Sequence, residues 1–206
     1  RPTPGGLAAV IRCRARPGPA NTPPPRPARA APEAARRLTV PGVIGHSLRV
    51  LFCGIDPDLY TAATGHHFAR PGNRFWPALH RSGLTPGLLS PWEEDQLLGL
   101  GFGITNLVQR TTAVASELSA EELREGGLQL LAKLERFRPR WLAMLGVGAY
   151  RSAFGRAAAT IGPQADPLGP TPVWLLPNPS GLNAHYQLDA LAAEFARMGQ
   201  VLGTGV

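Results

Sequence analysis

LRVLFCG at residues 48–54, running straight into the polar stretch IDPDLYTAATGHHFARPGNRFW at 55–76, decides how the chain is read. The first seven residues are brief, apolar and closed by Gly54, which is the pattern of a strand buried on both faces. Gly101–Thr105 (GFGIT), Trp141–Leu145 (WLAML) and Pro172–Leu176 (PVWLL) share that form. Helical periodicity fills the intervals. Ser119 and Glu122 make a capping box ahead of Leu123, Leu130, Leu134 and Phe137, and Pro139 ends that helix. Asn73 is expected to cap a short helix through Phe75, Trp76 and Leu79, with Pro77 confined to its first turn. Leu188, Leu191, Phe195, Met198 and Leu202 step by three and four along a C-terminal amphipathic helix. Strands alternating with helices predict an α/β domain: three layers, α/β/α, around a mostly parallel sheet of short strands. Such sheets carry their sites at the carboxyl ends of the strands.

Composition bounds the rest. The chain has 206 residues, 44% of them apolar, enough for one core with a tail. No apolar run approaches the ~20 residues that span a bilayer, and no continuous signal-peptide core is visible, so the expectation is a soluble, intracellular protein without a membrane partner. Opening on Arg1 rather than Met, the chain reads as a fragment or a renumbered segment. Cys13 and Cys53 are too few for an all-cysteine zinc site or an iron–sulfur cluster, so chemistry without metal or cofactor is expected.

The net charge of +7 is local. Eight arginines face only Glu33 within residues 1–38, a stretch that also holds nine of the 22 prolines. The domain from 39 to 206 is electrically balanced. Residues 1–38 are therefore read as a largely disordered basic arm, either a sequence-blind tether to polyphosphate or an inert extension. Use of 20 Arg against one Lys fits the second view.

Two polar segments follow strands directly: residues 54–76, and Pro177-Asn178-Pro179-Ser180-Gly181-Leu182-Asn183. Pro and Gly fix their backbone paths, as a preorganised pocket requires. Ordinary turns remain the competing reading, because an Asp before Pro also suits a turn and Phe68 also suits a core lid. Gly146-Val147-Gly148 lacks the third Gly of a nucleotide fingerprint and is read as a strand-to-helix turn. Asp56 and Asp58 have no downstream ligand set that would complete a metal site.

Taken together, GIDPDLYTAATGHHFARPGNRFW and LPNPSGL closely resemble the mismatch-specific uracil-DNA glycosylases, the family that includes thymine-DNA glycosylase. The likeness spans residues 48–202 in matching order. It implies removal of uracil, and of other damaged pyrimidines, from mispairs in double-stranded DNA. It further implies a monomer that leaves an abasic site to downstream repair enzymes. On this match Gly54, Ile55, Thr61, Phe68 and Asn178 bind the flipped base, with Phe68 stacking on the ring and backbone amides near Ile55 and Phe68 reading its carbonyl edge. Ser180, Gly181, Leu182 and Asn183 enter the duplex, Leu182 as the wedge.

Asp56 is the expected catalytic residue. It stands where these relatives carry Asn, and where family 1 uracil-DNA glycosylases have the acid of GQDP. With a pKa near the ordinary ~3.9 it would be ionised at neutral pH and able to activate water. Asn178 replaces the His of the family 1 HPSPLS loop. Asp58 stands where the motif has Gly, and Ala184 where relatives have Arg. Asp58 is expected to disturb the turn, while Ala184 leaves opposite-base preference open. Asn73 and Arg74 are read as ties between the pocket loop and the helix start, and His66 and His67 as loop packing or phosphate contacts. Lys133, the sole lysine, lies mid-helix, which argues against lyase chemistry. Two rival readings are a glycosylase for another lesion, such as xanthine, hypoxanthine or ethenocytosine, and a noncatalytic mismatch-binding module.

Overall fold

The computed structural model describes residues 39–203, so the basic arm at 1–38 lies outside the described residues. Four short strands form the predicted sheet: β1 (Val50–Gly54), β2 (Phe102–Asn106), β3 (Trp141–Leu145) and β5 (Val173–Leu176), all parallel. β1 begins two residues later than LRVLFCG suggests, and β2 is shifted one residue onward to include Asn106. A two-residue edge strand not foreseen from the sequence, β4 (Gly162–Pro163), pairs antiparallel with β5. Its brevity hides it from any periodicity reading. The spatial order is β2-β1-β3-β5-β4, with the chain reversing direction about β1.

Alternation along each strand divides the core in two. Leu51 and Cys53, Leu142 and Met144, and Val173 and Leu175 join α4 (Ala120–Phe137) and α5 (Val147–Phe154) in one cluster. Val50 and Phe52, Ala143 and Leu145, and Trp174 and Leu176 join the other, with α2 (Phe75–Arg81), α3 (Gln96–Gly99) and α6 (Leu188–Leu202). Strands buried on both faces read as continuous apolar runs for this reason. The three-layer α/β/α expectation holds.

Local signals behave as their chemistry requires. Ser119 accepts the Glu122 amide in a complete capping box, and α4 stops at Phe137 two residues before Pro139. α2 starts at Phe75 with Arg74 in the capping position, a correction by one residue to the expectation for Asn73. Asn73 still satisfies an orphan amide, since its Oδ1 accepts the Phe75 N–H at 3.0 Å. One helix was not anticipated: α1 (Leu59–Thr64), within the polar stretch after β1. Asp58 caps it, its carboxylate accepting the Tyr60 and Thr61 amides, both at 2.9 Å. The expectation that Asp58 disturbs a glycine turn is thereby corrected. Its φ of −73° is open to any residue, and its side chain nucleates the helix.

Candidate active site

The carboxyl ends of β1 and β2, together with the loops after β1 and β5, wall a cleft of about 770 Å³. This is where a parallel sheet that reverses its strand order places a ligand. The expected catalytic, base-binding and DNA-contacting residues all line it: Gly54, Ile55, Asp56, Thr61, Phe68, Asn178, Ser180, Gly181, Leu182 and Asn183. The two polar segments are therefore one site.

Asp56 sits just beyond β1 and accepts a hydrogen bond from the Thr112 hydroxyl. Thr112 reaches it because the segment after β2 docks on the segment after β1, with the Thr112 amide donating to Pro57 O at 3.2 Å. Burial pushes the Asp56 carboxyl up to about 6. The Thr112 bond and Arg110 oppose that rise, while Asp58 and Glu117 add to it. The expected ordinary carboxylate pKa is thus corrected upward, because half-burial removes solvation that the ionised form needs. At pH 7 Asp56 remains ionised by about ten to one, and it is poised near the working range of a general base.

Replacing Thr112 by Val should raise the Asp56 pKa further. A hydrogen bond to a charged group contributes about 1.5–3 kcal/mol, and one pKa unit is about 1.4 kcal/mol. The acid limb of the single-turnover pH–rate profile should move up by about one unit, with activity at pH 7 falling about twofold and activity at pH 5 about tenfold. A limb that stays in place would show that Thr112 does not govern this carboxylate.

Phe68 occupies the left-handed region at φ 54°, a costly backbone for a bulky residue. Its surroundings hold it there. The ring stacks on Phe75 with centroids 4.1 Å apart, the His67 carbonyl accepts Trp76 Nε1–H at 3.1 Å, and the His67 amide donates to Glu94 at 2.9 Å. Among the described residues, the Phe68 amide meets no acceptor. A Cβ on Gly54 would stand 2.6 Å from Asn106 Oδ1 and 3.2 Å from the Phe68 ring, so only glycine lets strand, amide and ring converge. Asn106 is buried, and its Nδ2 has no partner. Thr61 is buried and donates its hydroxyl to Asp58 at 3.3 Å, which supports the cleft wall.

The loop after β5 is built by its own side chains. Asn178 Oδ1 accepts the Ser180 amide, Asn183 Nδ2 donates to Asn178 O, and Ser180 Oγ accepts the Leu182 amide. Leu182 is left 66% exposed at the tip, an apolar side chain with nothing to cover it. The loop is also held from outside. Arg74 donates to the carbonyls of Ser180, Asn183 and Tyr186, and its amide donates to Pro179 O. Arg74 thus ties the loop after β5 to α2, a longer reach than the sequence suggested.

A model of the uracil DNA glycosylase superfamily matches residues 41–200, nearly the whole described domain. The chain belongs to that superfamily. Its members are DNA glycosylases. The fold agrees with a solution NMR structure from Methanosarcina acetivorans described as a "putative Uracil DNA glycosylase". That similarity has a TM-score of 0.55 at 18% identity and covers 81% of this chain and 98% of the other. Within the superfamily domain, the sequence reading missed Thr112, Asn106 and Glu94. TN at the end of β2 was a visible signal, since a polar pair closing a buried strand needs a reason. Glu94 gave none.

Proposed function

We propose that the chain is a mismatch-specific, monofunctional uracil-DNA glycosylase that rotates uracil out of duplex DNA and hydrolyses its N-glycosidic bond. The observation that carries this reading is the carboxylate of Asp56, held by Thr112 in the same cleft as the stacked ring of Phe68 and the unpartnered amide of Asn106. Breaking the bond leaves positive charge on the sugar and negative charge on the base. Ionised Asp56 stabilises the first and takes a proton from the attacking water. Asn106 Nδ2 and the Phe68 amide supply donors for the second. Asn178 Oδ1 is committed to its own loop, which leaves its Nδ2 as the donor it can offer. Exposed Leu182 fills the gap in the stack, and opening it costs about a few kcal/mol, least where the base is mispaired.

This reading places the protein on duplex DNA inside the cell as a monomer, handing abasic sites to the enzymes that process them. The test is release of free base from U:G, U:A, T:G and single-stranded substrates. Release of uracil from U:G with strands left intact until alkali treatment supports it. Preference for xanthine, hypoxanthine or ethenocytosine would move the substrate class. Tight mismatch binding with no base released would replace the enzyme with a binding module.

A further inference from the structure

A second cavity, of about 420 Å³, lies against α4 and shares no lining residue with the cleft. Gln129, Lys133 and Arg136, spaced by four and three along α4, form one wall, and Ile44, Gln109 and Phe137 contribute to the others. Its size falls within the range of about 300–1,000 Å³ typical of small-molecule sites. Two cationic and two amide side chains line it, and among the described residues no carboxylate does.

Neither cation is neutralised by the protein. Lys133, the chain's one lysine, is half-buried, and its Nζ donates to Thr105 Oγ1 at 2.9 Å, a neutral acceptor near the end of β2. Among the described residues no carboxylate pairs with it or with Arg136. Cys53, which interacts with Lys133, is no counter-ion, because burial pushes its thiol up to about 12 and keeps it neutral. Burial also holds the Lys133 ammonium below the ordinary lysine pKa, as expected of a charge short of both water and a partner. Arg136 is exposed and lies over the Phe137 ring, 5.0 Å from its centroid. Two acids of α4 are engaged elsewhere: Glu122 pairs with Arg110, and the Glu135 carboxylate lies against Gly169.

We propose that this cavity is a second ligand site, which binds a small organic anion: a carboxylate or phosphate monoester carried on an apolar body. Arg136 offers the planar fork of donors that suits either group. Lys133 contributes without a direct bond, since a charge in a half-buried wall is screened less than one in open water. Gln109 Nε2 is spent on Asn106 O at 3.0 Å, which leaves Gln129 as the amide donor, and Ile44 and Phe137 supply apolar surface for the body of the ligand. The inference goes beyond the glycosylase reading and does not rest on it, because no residue of the cleft takes part.

Phenyl phosphate is the probe, titrated into the full chain by calorimetry and followed by backbone amide shifts. Wild type should bind it, with shifts centred on Gln109, Gln129 and Phe137, while benzyl alcohol and inorganic phosphate each bind about tenfold more weakly or not at all. Arg136→Gln should weaken phenyl phosphate about five- to tenfold, the size of a charge-assisted hydrogen bond, and Lys133→Met about fivefold. Arg136 is exposed, so its variant carries the test if Lys133→Met does not fold. Affinity unchanged in whichever variant folds, shifts centred on the cleft, or no binding to wild type at millimolar probe overturns the inference. Equal binding of benzyl alcohol would make the cavity merely apolar, and equal binding of inorganic phosphate would remove the organic body, either of which also overturns it. Duplex DNA should leave the bound probe in place. Displacement by a duplex would make these cations a contact to the DNA backbone and overturn the small-ligand assignment.

Discussion

Asp56→Asn should lower single-turnover uracil release by about a thousandfold at pH 8 while leaving duplex affinity within a few-fold, since a positioned base contributes about 10²–10⁴ in rate. The same residue sets the pH profile. Burial lifts its pKa to about 6, so wild-type rate should fall tenfold per pH unit below that value, and the Asn variant should lack this limb. Stability should move the other way. The folded pKa of about 6 lies above the ordinary 3.8, so between these values the native state holds a proton that the unfolded chain has lost. Stability therefore falls as pH rises through that window, and above it the ionised carboxylate costs the fold on the order of 1 kcal/mol after allowance for its partial solvation. Asp56→Asn should melt higher than wild type at pH 7.5 and show no such gain at pH 4. An inactive variant that is also less stable at pH 7.5 would make Asp56 a structural residue, and the catalytic assignment would fail.

This trade of stability for reactivity explains which parts of the molecule were legible in the sequence. The strands announced themselves because burial on both faces forces unbroken apolar runs such as VLFCG and WLAML. Asp56 and Phe68 were legible because motif order fixed them. Their partners were not, because each comes from a distant segment. Thr112 meets Asp56 across 56 residues, and Glu94 meets His67 across 27. No local period encodes such pairings. Asp58 was misread for a different reason: a motif position that relatives fill with Gly suggested a backbone demand that this chain does not make. Its extended φ and two amide bonds turn the same position into a helix cap. That carboxylate also helps hold the Asp56 pKa up, so a residue that looked like damage to the motif contributes to the electrostatics of the site.

Arg74→Ala should weaken binding to a duplex with an abasic-site analogue by about ten- to thirtyfold and lower the melting temperature by a few degrees. The guanidinium spans the loop from Ser180 to Gln187, with Nη1 on three carbonyls and Nη2 on Gly181 O and Gln187 Oε1. Water can take over these half-exposed acceptors, so the fold survives, but the loop then samples paths it must abandon before it can present Leu182 to DNA as the proposed function requires. Gly181 limits those paths from the other side, since a Cβ there would stand 2.6 Å from Gly72 O. Lys should not rescue the variant, because a single ammonium cannot reproduce a planar fork reaching five acceptors. Leu182→Ala removes the proposed wedge and separates two explanations. If Arg74 acts by presenting Leu182, Arg74→Ala combined with Leu182→Ala should bind little worse than the more damaging single variant. Additive losses would mean that Arg74 touches the DNA directly, and the clamp would then be incidental to its role.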